Sequence, residues 1–211
     1  MKIEGAIFDL DGTLLDSMGI WDRAGEDFLL SLGITPRENL AETLKEMSLA
    51  QAAEYLQDTY GVSKSVDEII RDVCHLVEDF YIEKVPLKMG VKEVLEKLSK
   101  NHVKMCVATA SERRLVDLAL TRCGVRQHFT EIFTCNELGL GKDSPDIYEM
   151  ARAHLGTPKE NTFVFEDAIH AIRTAKAAGF PVVGIFDASE KDQETVRSLS
   201  DYYLESFMKF L

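Results

Sequence analysis

Five short apolar runs constrain this chain most: Ala6-Ile7-Phe8, Val103 to Ala108, Ile132-Phe133, Thr162 to Phe165 and Val182 to Ile185. All are short and rich in branched or aromatic residues, the pattern of strands buried on both faces. Helical periodicity separates the later runs. Val91, Val94, Leu95 and Leu98 fall at i, i+3, i+4 and i+7, and Leu115, Leu118, Ala119 and Arg122 repeat the spacing. Ser144-Pro145 reads as an N-cap followed by proline in the first helical position. Ala168 to Ala178 reads as an alanine-rich helix stopped by Gly179 and Pro181. Strand alternating with helix predicts an α/β fold, a parallel sheet with helices on both faces.

One stretch breaks the alternation. Between about residue 17 and about residue 85 no strand pattern occurs. Three helical faces stand there instead: Trp21, Ala24, Gly25, Phe28, Leu29 and Leu32; then Leu49, Ala52, Ala53, Leu56 and Tyr60; then the face running from Val66 through Val73 and Val77 to Tyr81 and Lys84. Gly33 with Pro36, and Gly61, separate them. The expected organisation is an α/β core of residues 1–16 and 86–211 with a helical bundle, residues 17–85, inserted after the first strand. A chain of 211 residues, 45% of them apolar, is long enough for both.

Charge narrows the partners. Lys plus Arg number 24 and Asp plus Glu 36, a net charge of −12. That sign argues against nucleic acid or an anionic membrane as a partner, and requires a local positive site for any anionic substrate. Cys74, Cys106, Cys123 and Cys135 form no C-x-x-C pair and no zinc spacing, which fits a reduced compartment. The start of the chain has no signal-peptide pattern and no apolar stretch is long enough to span a bilayer, so a cytoplasmic location is expected. A monomer is expected, with a dimer as the alternative.

In a parallel sheet, ligands sit beyond the carboxyl ends of the strands. Asp9 and Asp11 follow the first run, Thr109 and Ser111 the second, Lys142 the loop after the third, and Glu166 and Asp167 the fourth. Taken singly, each has an ordinary reading: Asp11-Gly12 as a turn, Asp16 or Asp167 as a helix N-cap, Lys142 as a solvated lysine. Their coincidence at one sheet edge points to a site. Alternation along an extended segment would aim Asp9 and Asp11 the same way. A cluster of carboxylates with only oxygen ligands suits Mg²⁺ rather than zinc, and Mg²⁺ commonly bridges to a substrate phosphate. Lys142 and the Thr109 hydroxyl suit the remaining phosphate oxygens. The economical assignment is Asp9 as nucleophile, forming an aspartyl-phosphate, and Asp11 as general acid and base. Gly141-Lys142 is not a phosphate-binding P-loop, because Asp143 stands where Ser or Thr is needed and Asn136 where Gly is needed. His75, His102, His128, His154 and His170 show no ligand spacing.

These residues resemble the haloacid dehalogenase (HAD) superfamily, phosphatase branch, and most closely the group with a helical cap after the first strand. That group includes phosphatases of small phosphorylated metabolites and β-phosphoglucomutase. The stretch FDLDGTLLDS matches the first motif, VATAS the second, GKDSPDIY the third and VFEDAIHAIRTAKAAG the fourth, while VPLKMGVKEVLEKL matches the return from cap to core. The resemblance implies a Rossmann-like core with an inserted α-helical cap domain. It implies a phosphoric monoester hydrolase with Asp9 as nucleophile and Asp11 as acid and base. Phosphate contacts would come from Thr109, Ala110 and Lys142. Mg²⁺ would be held by Asp9, Asp11 through its carbonyl, and Asp167, with Glu166 completing the acidic set. The expected substrate is a small phosphorylated metabolite such as a sugar phosphate.

The chain departs from the family at Asp143, where proline is usual, and at Ala168 and Ala171, where serine and glycine are usual. Mutase relatives carry an arginine before a Ser-Leu pair in the cap. Here Lys45 precedes Ser48-Leu49, and lysine lacks the bidentate fork that would hold a second phosphate. The expectation is therefore hydrolase over mutase. Trp21, Arg23, Lys45 and Met47 are cap candidates for specificity, and Asp16 and Ser17 for the hinge. The alternative from another class is a phospho-accepting receiver module, although a receiver carries its acceptor after a later strand and has no helical insert.

Overall fold

A computed structural model describes residues 2–44 and 47–210. Lys45, a cap candidate in the sequence, lies outside the described residues. The chain divides into two compact units, Met1–Asp16 with Val85–Leu211, and Ser17–Lys84.

Among the described residues the first unit is built on six strands, β1 (Gly5–Phe8), β2 (Lys104–Thr109), β3 (Ile132–Thr134), β4 (Thr162–Glu166), β5 (Val182–Ile185) and β6 (Tyr202–Leu204). Their order is β3-β2-β1-β4-β5-β6 and every neighbouring pair is parallel. Along the chain the helices are α1 (Met18–Ser31), α2 (Leu40–Leu44), α3 (Leu49–Tyr60), α4 (Val66–Glu83), α5 (Val91–Lys100), α6 (Arg113–Arg122), α7 (Cys135–Leu138), α8 (Asp146–Leu155), α9 (Ile169–Ala177) and α10 (Gln193–Leu199). The first four belong to the second unit and the rest surround the sheet.

Strand β1 is central, with Gly5 in register with Lys104 on one side and Thr162 on the other. Alternate residues feed two cores. Ile7, Cys106, Ala108 and Val164 join Ile147 and Tyr148 of α8, Ile172 of α9 and Val196 of α10 in one cluster. Phe8 and Phe165 are cross-strand neighbours in register, stacked with centroids 4.3 Å apart, and Phe165 meets Phe207 and Phe210. Each fully buried ring contributes about 2 kcal/mol, so the strand ends that carry the polar residues rest on a stiff platform.

Three boundaries differ from the sequence reading. Helix α8 begins at Asp146 with Pro145 as its N-cap, one residue later than the Ser144-Pro145 pattern implies, and the Ser144 hydroxyl accepts from the Asp146 N–H at 3.4 Å. Helix α9 spans Ile169–Ala177 rather than Ala168 to Ala178. Val85 groups with the first unit; it is buried, and its carbonyl accepts from Arg122.

In the second unit, α1 packs on α4 and α2, and α3 packs on α4. Ala24, Phe28 and Leu29 meet the seam from α1, and Ile69, Val73, Val77 and Tyr81 from α4. Capping boxes start α3 (Ser48 with Gln51) and α4 (Ser65 with Glu68), each satisfying two otherwise orphaned N–H groups. A side chain on Gly25 would press on Leu44 at 2.6 Å, so this glycine lets α2 approach α1. The Trp21 indole donates to the Tyr81 hydroxyl.

Candidate active site

The strand order reverses between β1 and β4: β2 and β3 build out on one side of β1, and β4 to β6 on the other. Beyond the carboxyl ends of strands at such a switch point the flanking loops diverge and leave a crevice. Phe8 is in register with Phe165, so the residues that follow, Asp9 and Glu166, leave the two strands side by side. The Asp9 N–H donates to the Phe165 carbonyl at 3.0 Å and fixes that arrangement.

Carboxylate oxygens of Asp9, Glu166 and Asp167 all lie within 4.8 Å of one another, and all three residues are buried. Lys142 is buried beside them. Its ammonium donates to Asp9 Oδ1 and, at 2.6 Å, to Glu166 Oε1. Glu166 Oε2 accepts the N–H groups of Asp167 at 2.8 Å and Ala168 at 3.1 Å. The Thr13 hydroxyl donates to Asp167 Oδ1 at 2.7 Å. Gly12 has φ +84°, and a Cβ there would collide with the Asp167 carboxylate. The sequence explains this glycine by its turn; the structure adds that a metal-ligand candidate occupies the space where its side chain would be.

Three carboxylates stand around one ammonium, which pairs with Asp9 and Glu166 and leaves Asp167 uncompensated by it. The electrostatics follow. Burial pushes the Asp9 carboxyl up to about 7, with Lys142 opposing and Glu166 and Asp11 reinforcing the rise. Asp167 is also raised well above the usual carboxylate range, by burial and then by Glu166 and Asp9. Burial alone would lower Lys142, but Asp9 and Glu166 hold it well above its ordinary value, so it stays charged. A divalent cation fits this set: the donors are all oxygen, they converge, and their uncompensated charge is what a cation would neutralise.

Asp11 and Thr109 stand beside this cluster. Strand β1 ends at Phe8, so the alternation expected to aim Asp9 and Asp11 alike does not extend to them. The Asp11 carboxylate is outside the three-carboxylate group and instead accepts a hydrogen bond from the Ser111 hydroxyl. Its implied metal contact was through the backbone carbonyl, on which this does not bear. Thr109 ends β2 and is buried. Its Oγ1 accepts the Ser111 N–H at 3.0 Å, which leaves its own proton available as a donor. Ala110 lies between them and is exposed.

Four residues at this edge escaped the sequence reading in these roles. Thr13 orients Asp167, and Ser111 holds Asp11. The buried Tyr148 hydroxyl lies 3.5 Å from Glu166 Oε1. Asp187 follows β5, is buried and pairs with Lys88 at 2.7 Å. Burial would raise it, but Lys88 and Ser189 bring it below the usual range. The rule that flagged the other strand ends, applied to the run ending at Ile185, would have found Asp187.

A parallel sheet with converging carboxylates and a buried lysine at its switch point has the chemistry that phosphoryl transfer needs. A family profile for haloacid dehalogenase-like hydrolases matches residues 6–185, and the chain belongs to that family. It is a phosphoric monoester hydrolase of the superfamily's phosphatase branch. Hexitol phosphatase B of Escherichia coli K12 is 29% identical over 97% of this chain and 93% of its own length. The phosphorylated carbohydrates phosphatase of Thermotoga maritima is 25% identical over 84% of this chain and 82% of its own. Among solved structures, CbbY from Rhodobacter sphaeroides in complex with phosphate superposes with a TM-score of 0.87 at 23% identity, covering 99% of this chain and 96% of that one, and so shares the fold.

Proposed function

We propose that this chain is a Mg²⁺-dependent phosphatase of a small phosphorylated sugar or polyol, acting through an aspartyl-phosphate on Asp9. The observation that carries the reading is the buried group of Asp9, Glu166 and Asp167 around Lys142 at the switch point. The names of the relatives, hexitol and phosphorylated-carbohydrate phosphatases, support the substrate class.

Asp9, Glu166 and Asp167 would hold the cation, with the Asp11 carbonyl as the resemblance implies. Bound there, it supplies the positive charge that lets an anionic phosphate approach a carboxylate. The chain's own groups do the rest. Lys142 holds the Asp9 carboxylate in place and, with Thr109 and the backbone at Ala110, takes up phosphate oxygens. An Asp9 oxygen bonds to phosphorus as the ester bond breaks. Asp11 gives a proton to the leaving oxygen, then takes one from the water that cleaves the phospho-aspartate. The helical unit, residues 17–84, is assigned as the cap that sets specificity and excludes water. Membership of the hydrolase family weighs against the receiver alternative.

The test is phosphate release from a panel of sugar and polyol phosphates with and without Mg²⁺, for wild type and Asp9→Asn. Release that needs the cation and disappears in the variant is expected. Interconversion of hexose phosphates faster than phosphate release would overturn the hydrolase reading in favour of a mutase.

A further inference from the structure

Asp11 must hold one position through two opposite proton transfers, and it stands apart from the Lys142 cluster that fixes Asp9. Its carboxylate accepts from the Ser111 hydroxyl, a side chain 100 residues away in sequence and only 6% exposed. We propose that Ser111 is the positioning residue for the acid and base of this reaction. The inference rests on the reading of Asp11 just given.

The choice of group at this place is informative. An apolar side chain would take away this hold on the carboxyl, and orientation is a large part of what such a residue supplies. A hydroxyl is uncharged and both donates and accepts. It donates to the carboxylate when Asp11 is the base. It donates to the same oxygen when Asp11 is the acid, whose proton then sits on the other oxygen and faces the leaving group, so one contact serves both halves of the reaction. The backbone keeps Ser111 in register independently of its side chain, because its N–H donates to Thr109 Oγ1 at 3.0 Å. Ser111→Ala therefore removes the contact to Asp11 and leaves the loop's own tether.

The proton balance gives a readout that a general loss of structure would not. In the first half, the Asp9–phosphorus bond forms, the phosphorus–ester oxygen bond breaks, and the Asp11 proton passes to the departing oxygen. An alkoxide leaving group needs that proton, whereas p-nitrophenolate leaves without it. Ser111→Ala should lower kcat/KM on a polyol or sugar phosphate by about tenfold to a hundredfold, the worth of one hydrogen bond to a charged group. On p-nitrophenyl phosphate it should fall by less than about threefold, with the loss on the alkyl substrate in kcat rather than KM. Ser111→Thr keeps the hydroxyl and should keep the alkyl-phosphate rate.

The experiment measures kcat/KM, which covers only the steps up to departure of the leaving group, on both substrates with wild type, Asp11→Asn, Ser111→Ala and Ser111→Thr, all saturated with Mg²⁺. If Asp11→Asn slows both substrates equally, the reading of Asp11 as the acid fails, and the proposal with it. If Asp11→Asn is selective for the alkyl phosphate but Ser111→Ala slows both substrates equally, or neither, the proposal is overturned while the reading of Asp11 stands. A Ser111→Thr enzyme as impaired as Ser111→Ala also overturns it.

Discussion

The Asp9 carboxyl makes a pH-dependent cost to stability that can be measured directly. Burial raises it from 3.8 to about 7, in spite of Lys142. A carboxyl raised on folding holds its proton more tightly in the folded state than in the unfolded chain. Its favourable contribution is complete below pH 3.8 and is lost as pH climbs to about 7. Roughly three pKa units correspond to about 4 kcal/mol, of which about 2.5 kcal/mol develops between pH 5 and 8. Asparagine at this place resembles the protonated acid and escapes the cost. With EDTA present, Asp9→Asn should therefore exceed wild type in stability by an amount that grows with pH, reaching roughly 2–4 kcal/mol at pH 8. For a chain of this size that is on the order of 10 °C in melting temperature. Comparing the two proteins cancels the acidic groups shifted the other way, such as Glu131, Glu137 and Asp187. Saturating Mg²⁺ should shrink the difference, because the cation needs the charge that asparagine lacks. The measurement is thermal and urea unfolding at pH 5, 6.5 and 8 with EDTA or Mg²⁺. A wild-type protein as stable as Asp9→Asn at pH 8 in EDTA, or a difference that shrinks as pH rises, would refute the reasoning.

Two further outcomes follow from the same edge of the sheet. Gly12→Ala should cost about 1–3 kcal/mol for its left-handed backbone alone, and should weaken divalent-cation binding by calorimetry because the new methyl displaces Asp167. Lys88→Met should cost about 3 kcal/mol by leaving Asp187 buried without its cation, and Lys88→Met with Asp187→Asn should recover most of that loss in urea unfolding.

Strands β1, β2, β4 and β5 were legible because burial forces a continuous apolar run, and edge strand β3 through its pair Ile132-Phe133. Strand β6 was not, since Tyr202–Leu204 opens on a half-exposed tyrosine and only Leu204 is buried. Short α2, α7 and α10 lack the turns over which periodicity shows. The first-rank residues of the site were legible for a different reason: the topology places strand ends together, and each expected strand but the last ended in chemistry that had been recognised. What the sequence hid were contacts across long separations. Thr13 meets Asp167 and Ser111 meets Asp11 only once the sheet is ordered, and nothing local distinguishes either hydroxyl from a loop residue. Tyr148 belongs to the buried core, and its hydroxyl beside Glu166 is visible only in three dimensions.

The insertion of residues 17–84 after β1 also bears on how this chain reaches its fold. Strand β1 must find β2 across almost a hundred residues, from Gly5 to Lys104, and long closures of that kind slow folding. Most of that separation is the helical unit, which is closed on itself by α1 packing on α4 as well as by neighbouring helices. Its two ends emerge side by side, for the Asp16 N–H donates to the Pro86 carbonyl at 3.0 Å and the Lys88 N–H to the Leu14 carbonyl at 2.9 Å. Once the helices have packed, the span left for β1 to close is about thirty residues instead of about a hundred, a saving on the order of 1 kcal/mol in chain entropy. A helical unit that packs before the sheet would thus act as a splint, holding the first strand near the point where β2 and β4 join it.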